Sequence, residues 1–282
     1  MNGDDALAVA DRLIWGLARQ TRPDDVVVVG VATPIAAAAA LVARALLHPD
    51  LTVIAAASVD PPAHDVAAPM LAADAVARIA VGTMTQAEIL DQIQRGRVTL
   101  QFVSPAQVDG SGALNTSRVP GRDGGLRRLP GGLATADIAV LVGRLVAYRA
   151  QHSPRFLAPQ VAFTTGAGHA AGPGWRQARR LPGRGVVAAV TDAAVLEWVD
   201  DGASVRIAAV ATGVSVDEVV AGCGFPLEVP PGPLPAHGSP AEERRLLDEV
   251  VDPHGVRRLE VRAGRAQALA ALESLAAEAG ST

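Results

Sequence analysis

The chain has 282 residues, 49% of them apolar, with 25 Lys and Arg against 29 Asp and Glu and a net charge of -4. That balance excludes a general binder of phosphate backbones, and an aromatic content of 3% leaves no stacking platform for single-stranded nucleic acid. Cys223 is the only cysteine, which excludes an internal disulfide and a cysteine metal cluster, and it reads as a small core residue. The six His are scattered, with no i,i+4 pair beside a carboxylate, so no metal site is expected. Residues 1–5 are acidic where a signal peptide needs a basic segment, and no apolar run reaches membrane-spanning length. The expectation is a cytoplasmic protein that meets neither membrane nor nucleic acid.

An amphipathic helix is predicted over 4–19, with Leu7, Leu13, Ile14 and Leu17 on one face. A β-branched run at 26–29 reads as a strand buried on both faces. Thr33 as cap and Pro34 at the first position open an Ala- and Leu-rich helix over 35–47, which His48-Pro49-Asp50 stops. Residues 51–56 form a second apolar strand, and 57–62 leave its carboxyl end, where open α/β sheets bind ligands. His64 and Asp65 fall in a Pro-rich loop, and 72–80 is helical or irregular. Thr85 and Glu88 form a capping box for a helix ended by Gly96.

The next strand is 98–103, followed by a polar and Gly-rich stretch to Asn115 with a hairpin turn at Asp109-Gly110. Residues 118–132 carry Arg118, Arg122, Arg127 and Arg128 among glycines and read as a flexible basic loop, either solvated or holding a phosphate. A helix is predicted over 135–146, capped by Thr135 and able to receive an anion at its start. Strands follow at 161–165, 186–191, 194–199 and 205–210, with a Gly-rich loop holding His169 after the first and a turn at Asp201-Gly202 before the last. A capped helix at 215–220, an extended piece at 224–229, a Pro-rich connector and helices at 241–250 and 263–279 complete the chain. No internal repeat and no interior domain boundary is apparent. The fold class is α/β, an open mostly parallel sheet flanked by helices.

Small or amide residues recur at strand ends and helix starts: Ala57-Ser58, the stretch from Gln107 to Asn115, and Gly131-Gly132. Together they make a surface rich in backbone N–H donors, suited to a thioester whose carbonyl oxygen becomes negative in the transition state. These pieces, in their order and spacing, resemble the β subunit of the family I coenzyme A transferases, most closely the glutaconate CoA-transferase type. The resemblance rests on Val28-Val29-Gly30-Val31-Ala32-Thr33-Pro34, on Gln107-Val108-Asp109 with Gly112 and Asn115, and on Leu129-Pro130-Gly131-Gly132 before Asp137-Ile138-Ala139. Further matches are Val190-Thr191-Asp192, the run from Gly213 to Val219, Gly224-Phe225, and the segment from Pro240 to Gly255.

The resemblance implies a CoA-transferase (NagB/RpiA-like) fold over about 1–260 with a helical extension over 261–282. It implies an α-type partner subunit and an acyl-CoA thioester as substrate, with no permanently bound cofactor. It places CoA and thioester contacts at Gln107, Asp109, Gly112, Asn115, Gly131 and Gly132. In that family a β-subunit glutamate attacks the thioester. Here Ala57 falls at the glutamate position, and no Glu occurs between Asp50 and Glu88. Ser58 and Asp60 are the nearest residues with any chemistry. The family's Gly-Asn pair is Gly112-Ala113 here, and its Gly-rich turn is reduced to Gly131-Gly132-Leu133-Ala134. A non-standard route is therefore expected, hydrolytic or ring-cleaving, as in related enzymes that lack this glutamate. The alternatives are ordinary transfer with a displaced nucleophile such as Asp60, and a non-catalytic structural or regulatory subunit.

Overall fold

The computed structural model describes residues 3–30, 32–72, 74–121, 124–170 and 172–279. Val31 of the first turn and Arg122 of the basic segment lie outside these. The chain divides into two compact units, Met1–Asp91 with Gly238–Thr282, and Gln92–His237.

The first unit opens with α1 (Gly3–Ala18), which buries Ala6, Ala10, Leu13, Ile14 and Leu17. β1 (Val26–Val28) runs parallel to β2 (Thr52–Ala55), joined by α2 (Pro34–Leu46), the expected crossover unit. Thr33 stands at the N-cap of α2, but its hydroxyl donates back to the Gly30 carbonyl at 2.8 Å and caps nothing. The free Ile35 amide is met instead by Glu260 Oε2 at 2.8 Å. Past β2 the chain doubles back at once into β3 (Ser58–Val59), antiparallel to β2. The short helix α3 (Ala68–Leu71) follows, then an irregular stretch over the described part of 72–80. β4 (Gly82–Thr83) pairs antiparallel with β3. α4 (Gln86–Gln94) carries the expected box, Thr85 and Glu88 each serving the other's backbone amide. Those bonds hold the Glu88 carboxyl below its ordinary pKa.

The second unit builds its sheet on β5 (Leu100–Val103). A hairpin of β6 (Gln107–Val108) and β7 (Leu114–Asn115) follows, turning where Asp109-Gly110 predicts. The basic segment is not a loop: β8 (Arg118–Pro120) and β9 (Leu126–Arg128) form an antiparallel ribbon. α5 (Thr135–Leu141) begins after Ala134, which takes the cap position in place of Thr135. It ends earlier than predicted, because its expected tail is β10 (Arg144–Arg149), parallel to β5 and to β11 (Val186–Thr191). Gly143 enforces the break, since a Cβ there would overlap the Thr99 backbone. The predicted strand at 161–165 is irregular backbone, its amides at 161 and 162 taken by Asp109 and Gln107 side chains. α6 (Trp175–Ala178) is a single turn. β12 (Ala194–Val199) and β13 (Ser204–Ala211) add an antiparallel pair to β11, with Asp201 left-handed in the turn between them. α7 (Val216–Ala221) has the full Ser215–Glu218 capping box, and β14 (Ala236–His237) lies within the Pro-rich connector.

Back in the first unit, α8 (Ala241–Leu246) runs into a π turn over Leu247–Val251 and a 3-10 turn over Val256–Glu260. α9 (Arg265–Ala279) closes the chain against the 3-10 turn. Arg257 is almost fully buried here. Its guanidinium donates to Asp11 at 2.7 Å, Asp252 at 3.0 Å and Asp248 at 2.6 Å. A buried cation is tolerable only with such pairing. The α/β class is the one expected: parallel strands carry the crossover helices, and antiparallel strands extend each unit's sheet. Among the described residues no helix is long and apolar enough to cross a membrane.

Candidate functional site

In the first unit, β2 ends on Ala55 and β3 begins on Ser58, so Ala56 and Ala57 make a two-residue hairpin turn. Their φ values are 50° and 65°. Positive φ at both central positions is the type I′ arrangement, which normally selects Asn-Gly because a Cβ is strained there. Two alanines in it are strained backbone at a strand's carboxyl end, a combination that recurs at functional sites. The Ala57 carbonyl accepts from the Met84 amide at 2.8 Å, which fixes the turn against the residue after β4. The position assigned to the missing glutamate therefore carries only a methyl group.

Ser58 pairs with Ala55 on one side and Thr83 on the other, and is completely buried. Its hydroxyl has no hydrogen-bond partner among the described residues. Asp60 is anchored through one carboxylate oxygen. Its Oδ1 accepts from the Val53 amide at 2.8 Å and lies 3.1 Å from Arg44 Nη1. Its own amide donates to the Val53 carbonyl at 2.7 Å, and Arg44 also reaches the Pro61 carbonyl. Arg44 comes from α2, sixteen residues earlier in the chain, and no local spacing announces the pair.

In the second unit the remaining residues gather around the β6–β7 hairpin. Gln107, Asp109 and Asn115 are all buried. Asn115 donates to Gln107 Oε1 at 2.7 Å, while its own oxygen accepts from the Ser117 and Arg118 amides. Gln107 Oε1 also accepts from the Ala162 amide at 3.0 Å. Asp109 takes the Ser111 amide and hydroxyl on one oxygen and the Val161 amide on the other. These side chains thus fasten the strand-end loops to one another.

Gly112 has φ of 73°, and a Cβ there would make ordinary contact with Val186, Trp198 and His169, so the backbone conformation rather than space favours glycine. A Cβ on Gly132 would overlap Thr165, whereas the space over Gly131, at φ of 104°, is open. Gly131 is therefore the one position of the pair where a ligand can approach the main chain closely. α5 has seven residues and no side-chain cap, so the anion site expected at its start has little to build on.

His169, singled out by its Gly-rich loop, is buried beneath Gly112 and Gly202. Burial, followed by the Arg176 charge, holds its pKa below the ordinary value, and its Nδ1 lies 3.7 Å from Asp201. Arg176 is itself buried and donates to the carbonyls of Gly183, Ala139, Ala167 and Gly168. The pair stiffens the loops beside the hairpin. Cys223 is half-buried, and burial pushes its thiol up to about 11, which removes it as a nucleophile near neutral pH. Among the described residues no three His, Cys, Asp or Glu side chains are placed to hold a metal ion.

Residues 14–222 match the family described as Coenzyme A transferase. The chain is 27% identical over 231 residues to a subunit of the 3-oxoadipate CoA-transferase of Pseudomonas knackmussii, a span of 78% of this chain and 84% of that one. Among solved structures it is similar to the decarboxylase AibA/AibB, with a TM-score of 0.72, 27% identity and coverage of 90% of this chain and 99% of that one. It also shares its fold with glutaconate coenzyme A-transferase from Acidaminococcus fermentans, with a TM-score of 0.71, 21% identity and coverage of 87% and 95%. Rhodococcus jostii RHA1 IpdAB has the same fold, with a TM-score of 0.70, 21% identity and coverage of 90% and 98%. On a family match that runs from within α1 to the residue after α7, the chain belongs to the coenzyme A transferases.

Proposed function

We propose that this chain is the β-type half of a two-chain complex acting on an acyl-CoA thioester, and that it supplies scaffold and thioester-binding surface but no nucleophile. The observation that carries the reading is Ala57, a methyl group on a strained turn where the resemblance puts the attacking glutamate. A two-chain assembly is supported by the similarity to one subunit of a CoA-transferase and to AibA/AibB, whose description names two components. That description also names a decarboxylase, which supports a reaction other than transfer on such a scaffold. In the proposed complex, the backbone past β5, shaped by Gln107, Asp109, Gly112 and Asn115, faces the thioester, with Gly131 open for close approach and Gly132 packed beneath. The base comes from the α-type chain. In a hydrolytic carbon–carbon cleavage, the hydroxyl of a water ends on the acyl carbon and its proton on the leaving carbon.

Asp60 is held in place through Oδ1 by the Val53 amide and Arg44, and an attack by it would have to come from Oδ2 with the side chain kept at that anchor or freed from it. Incubation of the two-chain complex with acyl-CoA followed by borohydride tests the proposal. No reduced glutamyl or aspartyl adduct should form on this chain, while thioester is still consumed. An adduct on Asp60 would establish ordinary transfer with a displaced nucleophile. Absence of both CoA binding and turnover would establish a non-catalytic subunit.

A further inference from the structure

The ribbon of β8 and β9 leaves the second unit with little of its own chain to hold it. Each strand has three residues, and all of them except Val119 are exposed. A two-stranded ribbon of that size is not stable alone in water. Its register puts Arg118 opposite Arg128 and Pro120 opposite Leu126, all four on one face. Like charges directly opposite each other across a strand pair are destabilising, and no carboxylate among the described residues pairs with either arginine. The Arg118 guanidinium lies 5.2 Å from the centre of the Phe163 ring, which is itself 38% exposed. Leu126 is 56% exposed. Leu133, just past the ribbon's return, is fully exposed and held at φ of 41°, a conformation that costs free energy for any residue with a Cβ.

We propose that the face formed by Arg118, Leu126, Arg128, Leu133 and Phe163 is the docking surface for the α-type chain, and that the surface it meets is an apolar groove flanked by carboxylates. The inference rests on the two-chain reading and adds where the partner seats. Carboxylates between Arg118 and Arg128 remove their repulsion, and an apolar groove covers the leucines and Phe163. A small anion would satisfy the arginines but leave Leu126, Phe163 and Leu133 in water. A second copy of this chain, seated isologously, would bring the same arginines face to face. The ribbon also starts three residues past Asn115, in the segment that follows the carboxyl end of β5, where ligands of α/β sheets bind. A chain seated on it is within reach of the substrate.

The test is equilibrium binding of this chain to immobilised α-type chain, with Arg118→Glu/Arg128→Glu and, separately, Leu126→Ser/Leu133→Ser. Each double substitution should raise Kd by about thirtyfold or more, and the wild-type Kd should rise with salt. The positions are exposed, so circular dichroism and melting of the chain alone should not change. Variants that bind within about twofold of wild type overturn the docking surface. So does a wild-type dimer of this chain that the same substitutions dissolve, which makes the occupant a second copy. Charge reversals that leave the complex whole but abolish CoA retention also overturn it, as they make the arginines an anion site. A wild-type chain that binds no α-type chain overturns the two-chain reading itself, an outcome distinct from normal binding by the variants.

Discussion

Three residues of the first unit give sharp tests because each sits where its side chain fits poorly. Ala57 at φ of 65° carries a Cβ in a region that disfavours one, so Ala57→Gly should raise stability. The strain relieved exceeds glycine's extra chain entropy by up to about 1 kcal/mol, seen as a higher urea midpoint at unchanged slope. Ser58 buries a hydroxyl without a partner, and Ser58→Ala should stabilise by about 1 kcal/mol. A loss of turnover in the complex instead would mean that the hydroxyl serves the reaction. Glu243 is fully buried, with one oxygen unpartnered and the other bonded to the Ser239 hydroxyl. Burial, only partly offset by Ser239, raises its carboxyl from an ordinary 4.5 to about 8. Between those values the folded chain keeps a proton that the unfolded chain has lost, so stability falls as pH rises. Glu243→Gln should flatten that fall and leave the variant on the order of 2 kcal/mol more stable than wild type at pH 9, read from denaturation at several pH values. The sequence singles out Ala57 only through the resemblance, and nothing local marks Ser58 or Glu243 as buried. Their burial is a product of distant segments.

At the scale of elements, what was legible is what neighbours in sequence decide. Thr85 and Glu88 stand three apart and form the box as read, and Ser215, expected at the start of a capped helix, forms one with Glu218. The start of α2 shows the opposite case. Its pattern was complete, Thr33 then Pro34, yet the amide it should satisfy is met by Glu260, 225 residues away. Glu260→Ala should therefore cost about 1 kcal/mol, with the loss measured as a lower melting temperature. Residues 142–146 continue a helical pattern, but pairing with β5 and β11 on both sides outweighs that propensity. Residues 161–165 are the converse, β-branched and aromatic, yet held irregular by the Asp109 and Gln107 side chains. The ribbon at 118–128 was hidden by its composition, since arginines and glycines read as loop. Replacing Asp60 by Asn keeps the Val53 contact but removes the charge facing Arg44. At partial exposure this should cost under about 1 kcal/mol, against a larger loss for Asp60→Ala, in the same melts.

For the whole molecule, the first unit is discontinuous: its amino- and carboxyl-terminal segments build one core around Arg257. Truncation after residue 237 should leave Asp11 buried without its cation and the Ile35 amide open, so residues 3–91 should not fold cooperatively in that fragment, while Gln92–His237 keeps its own transition. Truncation after residue 260 keeps Arg257 and Glu260 and removes only the terminal helix. It should fold with a lower midpoint, and loss of the cooperative melt would make residues 261–282 part of the unit's core rather than an extension of it. The family was legible because its signature is a series of short local motifs. What the motifs did not disclose is the bonding within the fold: the Gln107, Asp109 and Asn115 side chains tie to one another and to the amides of 161 and 162, which lie about fifty residues on.

The ion pair between Asp11 and Arg257 spans 246 residues. At about 5–20 residues per second of synthesis, Asp11 waits roughly 10–50 s for its partner to be made. Gln92–His237 is contiguous and its synthesis is finished about 1–4 s before Arg257 is made. The order of birth is therefore fixed by the chain's path: the second unit can fold while the chain is still tethered to the ribosome, and the first must remain open until its last turns emerge. During that interval α1 and α2 stand with the faces that the carboxyl-terminal turns will cover still open to water.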